Sequence, residues 1–145
     1  MNKNIKITLI VIGCLFLLFL AYYLLDPMKT FANMRNDQRQ SELTKISDAI
    51  TKYAGDNGGV LPKGIKVSDN CSDDANKICR TGVANCDRID MSSLTKSSKY
   101  LSSLPVDPSV NMGNYTGYNI VQSQQGRLTL CAPDAENGKT IVVKK

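Results

Sequence analysis

The chain has 145 residues, a formal net charge of +5 and no histidine, a size that allows one small folded domain with a single core. Its 18 basic and 13 acidic residues are spread without a block of like charge, and no basic stripe is interleaved with aromatics, which argues against a nucleic-acid partner. Without histidine, a paired-carboxylate motif, a Gly-rich phosphate loop or a nucleophile elbow, the sequence shows no catalytic machinery and calls for no cofactor, so a non-enzymatic role is expected.

Residues 7–25 (ITLIVIGCLFLLFLAYYLL) carry no charge. As a helix they would extend about 28 Å, close to the hydrocarbon thickness of a bilayer. A secretory signal would have a shorter apolar core followed by small residues at a cleavage site, whereas this run ends Ala21-Tyr22-Tyr23-Leu24-Leu25, so a retained anchor is expected. Tyr22 and Tyr23 suit the outer water interface, and Lys3 and Lys6 precede the run. The positive-inside rule then predicts a single-pass protein of the cell membrane, with the N-terminal flank cytoplasmic and the C-terminal domain extracytoplasmic. Residues 1–27 are read as flank and transmembrane anchor, and residues 28–145 as the extracytoplasmic domain.

Asp26-Pro27 predicts a bend, either a kink in one helix or a stop and restart with Pro27 in the new first turn. A helix is expected over 28–54, where Leu43, Ile46, Ile50 and Tyr53 form one apolar stripe. Between Met34 and Leu43 every residue is polar, and this part is expected to stand in water between membrane and head. Gly55-Asp56-Asn57-Gly58-Gly59 supplies a C-cap and turn.

Of five cysteines, Cys14 lies in the apolar run and behaves there as a small hydrophobe. Cys71, Cys79, Cys86 and Cys131 fall in the exported part, where an oxidising environment favours two disulfides with three possible connectivities. Zinc needs clustered Cys or His ligands, which this spacing does not offer. Residues 60–88, rich in Asp, Asn, Ser and Gly, read as a cysteine-rich loop held by cross-links rather than by a core. A short helix is expected over 92–103, capped by Ser92 or Ser93.

Beyond Leu104 the period changes. Pro105-Val106-Asp107-Pro108 reads as a rigid turn, and 115–121, 127–132 and 140–143 each fit a strand, giving an antiparallel β-meander over 115–143. Leu128, Leu130 and Ala132 alternate onto the face expected to meet the helix stripe, and Cys131 points the other way. The cysteine-rich loop would reach it there, and Cys71 with Cys79 and Cys86 with Cys131 is the expected pairing. The fold class is α+β: a long N-terminal helix, half transmembrane and half amphipathic, on a small antiparallel sheet of about three strands.

This organisation resembles the type IV pilin and type II secretion pseudopilin family. The stretch from Arg35-Asn36-Asp37-Gln38-Arg39 through Tyr53 to Asp56-Asn57-Gly58-Gly59-Val60-Leu61-Pro62 is similar to that family's "R-x-x-Q-x-x-x-L-x-x-I-x-x-A-I-x-x-Y…D-N-G-x-x-P" segment. Tyr100-Leu101-Ser102-Ser103-Leu104-Pro105-Val106-Asp107-Pro108 with Gly117-Tyr118 is similar to its "Y-L-x-x-L-P-x-D-P…Y-x-Y" passage. Lys6-Ile7-Thr8-Leu9-Ile10-Val11 lines up with the prepilin motif G-F-T-L-I-E. Thr8, Leu9 and Ile10 match, but Lys6 replaces the glycine and Val11 the glutamate. The resemblance implies that lysine blocks peptidase processing and that valine leaves no carboxylate to pair with a neighbouring subunit's amine.

The resemblance further implies a structural or accessory subunit of a type IV pilus or type II secretion-like system. Its partners would be the membrane and other pilin-like or assembly proteins. The alternative is a stand-alone anchored binding or adhesion domain that does not form filaments. Some family members bind calcium near the D-P motif, which makes Asp107, with Asn111 or Asn114, a candidate ligand set. Calcium wants six to eight oxygens and this loop offers one aspartate, so a turn closed by an Asx hydrogen bond is the simpler expectation.

Overall fold

The computed structural model describes residues 2–145. Helix α1 spans Lys3–Leu25 and α2 spans Pro27–Asp56. They form one 54-residue helical stretch interrupted at Asp26, whose φ of 37° and ψ of 71° are left-handed. Of the two outcomes that Asp26-Pro27 allowed, the chain takes the stop and restart. Pro27 occupies the new first turn, where its missing N–H is not needed, and the Asp26 carboxylate accepts the Lys29 N–H at 3.2 Å. α2 ends on glycines: Gly58 (φ 64°) follows the C-cap and Gly59 donates its N–H to the Ala54 carbonyl at 2.8 Å, the long bond of a Schellman motif.

The sheet has five strands and is mixed: β1 Lys66–Val67, β2 Lys77–Cys79, β3 Tyr115–Gln122, β4 Leu128–Ala132 and β5 Ile141–Lys144, in the order β1-β3-β4-β5. β3, β4 and β5 form the expected antiparallel meander, with Asn119 opposite Cys131 and Leu130 opposite Val143. β1 pairs parallel with the end of β3 and β2 antiparallel with its start, so both line the edge that β4 leaves open. These two strands correct the expectation of about three, and they lie in the segment expected to be an irregular loop. That segment is also not held by cross-links alone, because Ile78 and Ile89 bridge each other and lie fully within the core.

Leu128, Leu130 and Ala132 face α2 as the alternation requires, packing with Leu43, Ile46, Ala49 and Ile50. Met91, Leu94 and Leu104 close the core's far side. The helix expected over 92–103 is only α3, Ser92–Thr95, followed by a 3-10 turn at Lys96–Ser98. Ser97 and Ser98 both have positive φ, which ends any helix, and serine hydroxyls compete with the ladder for backbone groups. Nor do Ser92 and Ser93 cap it; Asp90 does the related work, accepting from the Ser92 N–H at 2.8 Å.

The disulfides join Cys71 to Cys131 and Cys79 to Cys86, correcting the expected pairing. After β1 the chain crosses the back of the sheet at Asn119, whose side-chain amide donates to the Cys71 carbonyl at 2.9 Å. Because Cys131 is Asn119's neighbour across the ladder, Cys71 is carried onto it. Cys79, at the end of β2 opposite Tyr115, sits on the far edge of β3, out of that path.

Candidate functional site

Two parts of the helical stretch carry features that a core helix does not need. The first is α1. Every residue from 2 to 24 is exposed, including Lys6, Ile7, Thr8, Leu9, Ile10 and Val11, and the most apolar stretch reaches a mean hydropathy of 2.6 with none of it buried. Such a surface is costly in water, and the helix is long and apolar enough to cross a bilayer. Cys14 lies exposed on the same helix and, among the described residues, is the one free cysteine.

The second is the first half of α2, whose polar run between Met34 and Leu43 was expected to stand in water. Instead Ala32, Asn36 and Arg39 are buried there. The stripe of Leu43, Ile46 and Ile50 continues backwards at the same spacing, and its partners are the β4–β5 loop (residues 133–140) and the turn at Asp107. Periodicity carried this signal; polarity concealed it.

Arg39 is 0% exposed, and all five of its N–H donors are committed. Nε and Nη2 form a fork on Asp107 at 2.6 and 3.0 Å, Nη1 reaches Asn36 and Glu136 at 2.8 Å each, and Nη2 also meets the Ser109 hydroxyl at 2.6 Å. Arg35 makes a second fork on Glu136, from Nε at 2.7 Å and from Nη2. The hydrogen bonds from Arg35, then Arg39, pull the Glu136 carboxyl down to about 2. Arg39 is held charged chiefly by its bonds to Asp107, which outweigh the opposing effect of burial. Two cations and two carboxylates cancel, the condition under which burial of such a group is tolerable.

Backbone groups extend this clamp. The Asn36 amide donates to the Glu136 carbonyl at 2.9 Å and accepts the Glu136 N–H at 3.0 Å, and Asn137 donates to the Lys29 carbonyl and to Asn33. One turn further along α2, Tyr118 donates its hydroxyl to Glu42; burial first, then this bond, pushes the phenol above its ordinary value.

The structure assigns Asp107 to this cluster rather than to a calcium site. Both of its oxygens bind Arg39, Oδ1 also accepts the Ser109 N–H at 2.8 Å as an Asx turn, and Asn111 and Asn114 are exposed. Among the described residues no group of three or more potential metal-ligating side chains is present. The turn seats on β3, with the Asp107 N–H donating to the Thr116 carbonyl at 2.8 Å. Gly117 (φ 85°) makes room for it: a Cβ there would stand 2.7 Å from that of Asp107 and 2.9 Å from Val110 Cγ2.

Of the residues singled out in the sequence, Cys71, Cys79, Cys86 and Cys131 are thus joined in pairs, the Lys6–Val11 segment lies apart on the bare helix, and Asp107 faces α2. Arg35, Asn36 and Arg39 stood in the family-like segment without a role assigned to them, and Glu136 was not singled out at all. Comparison of the chain with protein-family models, curated proteins and solved structures finds no match.

Proposed function

We propose that this is a pilin-like, non-enzymatic protein held in the cell membrane by α1, acting as a structural or accessory subunit of a type IV pilus or type II secretion-like system. The observation that carries the reading is the division of one helical stretch into a wholly exposed apolar half and a half that serves as the core helix of a disulfide-bonded α+β head. The motifs around Arg35–Tyr53 and Tyr100–Pro108 support it. Lys3 and Lys6 ahead of the span favour a cytoplasmic N-terminal flank, and the disulfides favour an oxidising compartment for the head.

Lys6 and Val11 favour a subunit that remains in the membrane unprocessed. Mass spectrometry on protein from washed membranes and from sheared filaments tests this. The expected chain still carries Lys6 and is confined to membranes; a chain beginning at Ile7 and found in filaments would overturn the unprocessed reading. The same substitutions also favour the alternative, a stand-alone anchored binding domain. Crosslinking in intact membranes separates the two: adducts with other helix-anchored subunits support the accessory role, and a monomer throughout supports the stand-alone domain.

A further inference from the structure

Outside α1, six large apolar side chains are exposed among the described residues, and three of them lie on the first two turns of α2: Met28, Phe31 and Met34, at 73, 56 and 61%. At about 100° of turn per residue, they lie about 40°, 100° and 160° from Ala32, all the same way round. Ala32, Asn36 and Arg39 are buried against the head, so this apolar strip turns away from it. Further along α2 the same side carries Lys45 and Lys52, both exposed. Among the described residues neither forms an ion pair. The carboxylates around them are taken: Glu42 accepts from Tyr118 and Gln38, Asp48 pairs with Lys145, and Asp56 pairs with Lys99.

We infer that this side of α2 lies along the bilayer surface, with Met28, Phe31 and Met34 sunk among the lipid headgroups and Lys45 and Lys52 set against anionic phosphates; the inference rests on the membrane anchoring proposed above. Chain length selects the occupant. The apolar run ends at Leu25, so as helix the strip is tethered within about 14 Å of hydrocarbon. A headgroup layer is about 5–7 Å thick, and an upright α2 would lift Phe31 and Met34 above it into water. Tilt returns both to the layer, and the left-handed Asp26 interrupts the helix that would otherwise hold α2 in line with α1. An interfacial helix sinks its apolar face about 5–10 Å, and lysine stems lie along such a surface with their ammonium groups at the phosphates. The head, on the other side of α2, stays in water. A second copy anchored in the same membrane would instead bring Lys45 and Lys52 against their own counterparts, like charge on like.

The chain contains no tryptophan, so Lys29→Trp, Phe31→Trp and Met34→Trp each report one position, and all three sites are exposed. The full-length variants are placed in vesicles of phosphatidylcholine and phosphatidylglycerol in equal parts, with bromine on the upper acyl carbons as quencher. Lys29 lies nearer the span than Phe31 and about 160° round the helix from it. Tryptophan at 31 and 34 should be blue-shifted and strongly quenched, and at 29 only weakly. Quenching that falls in order from 29 to 31 to 34 means an upright helix and overturns the inference. Blue-shifted emission at 31 and 34 that escapes bromine and rises with the protein-to-lipid ratio overturns it in favour of a second copy. Each lysine at an anionic surface shifts the docked-to-undocked ratio about fivefold, so adding Lys45→Gln and Lys52→Gln to Met34→Trp should lower that ratio about 25-fold and bring quenching towards the level at 29. Quenching at 34 that ignores the added pair overturns the lysine contact, and the flat orientation with it. Alkaline carbonate extraction of the same vesicles reports insertion: a chain that resists it but fails the quenching test leaves the anchor standing, and a chain that is extracted overturns the anchoring reading, and this inference with it.

Discussion

The two halves of α2 are attached to the head by opposite means. From Leu43 to Tyr53 the helix buries aliphatic side chains against β3, β4 and β5. From Ala32 to Arg39 it is gripped by hydrogen bonds and ion pairs from the β4–β5 loop and the Asp107 turn. Apolar contact is non-directional and stabilises in proportion to area. The polar grip is directional: each Arg39 donor has one acceptor, and a shift of one residue along α2 would leave all five unmatched. The distal half stabilises the head, and the proximal half fixes how the helix is aligned on it.

The sharpest way to break that contrast is Arg39→Ala, which strands Asp107 as an unpaired buried charge. It should cost about 3–5 kcal/mol in chemical unfolding of the full chain in detergent micelles. The paired replacement Arg39→Met with Asp107→Leu should recover most of that loss. A double variant as unstable as the single one would show that the ion pair is itself a main source of stability, and the contrast would fail.

In the distal half, Ile46→Ala removes a fully buried side chain and should cost about 3 kcal/mol. The loss should be the same in low and high salt. A strongly salt-dependent loss would mean that the two halves are coupled rather than separate.

The smallest effect is expected from pH. Glu136 is held at about 2 in the folded protein against an ordinary 4.5, so its contribution is complete above 4.5 and is lost as the pH falls from there towards 2. Protection factors, taken against the intrinsic exchange rate at each pH, should fall first over residues 29–39 in that window while residues 43–53 remain protected. Simultaneous loss of protection along all of α2 would show a single cooperative unit.

The sequence made some of this legible and concealed the rest for identifiable reasons. Leu128, Leu130 and Ala132 alternate over a strand long enough for period two to register, and β3 and β5 are similarly plain. β1 and β2, at two and three residues, are too short for any period and exist through pairing with β3. The break at Asp26 was readable because proline acts locally. Arg39 was not, because its partners Asp107 and Glu136 lie 68 and 97 residues away and a polar run on a helix ordinarily faces water. The disulfides failed in the same way, since the course of residues 68–71 across the back of β3 decides them and no local signal encodes it.

The left-handed residue at Asp26 has a mechanical consequence. A continuous helix transmits torque, because twisting one end strains every rung of its hydrogen-bond ladder. Here the ladder is cut between Leu25 and Pro27, and proline contributes no N–H to rejoin it. Rotation or tilt of α1 against α2 would therefore fall first on the dihedrals of Asp26. In the membrane-anchored protein proposed above, α1 would then be a swivelling tether, and its turning would leave the five hydrogen bonds of Arg39, more than three turns further along, undisturbed.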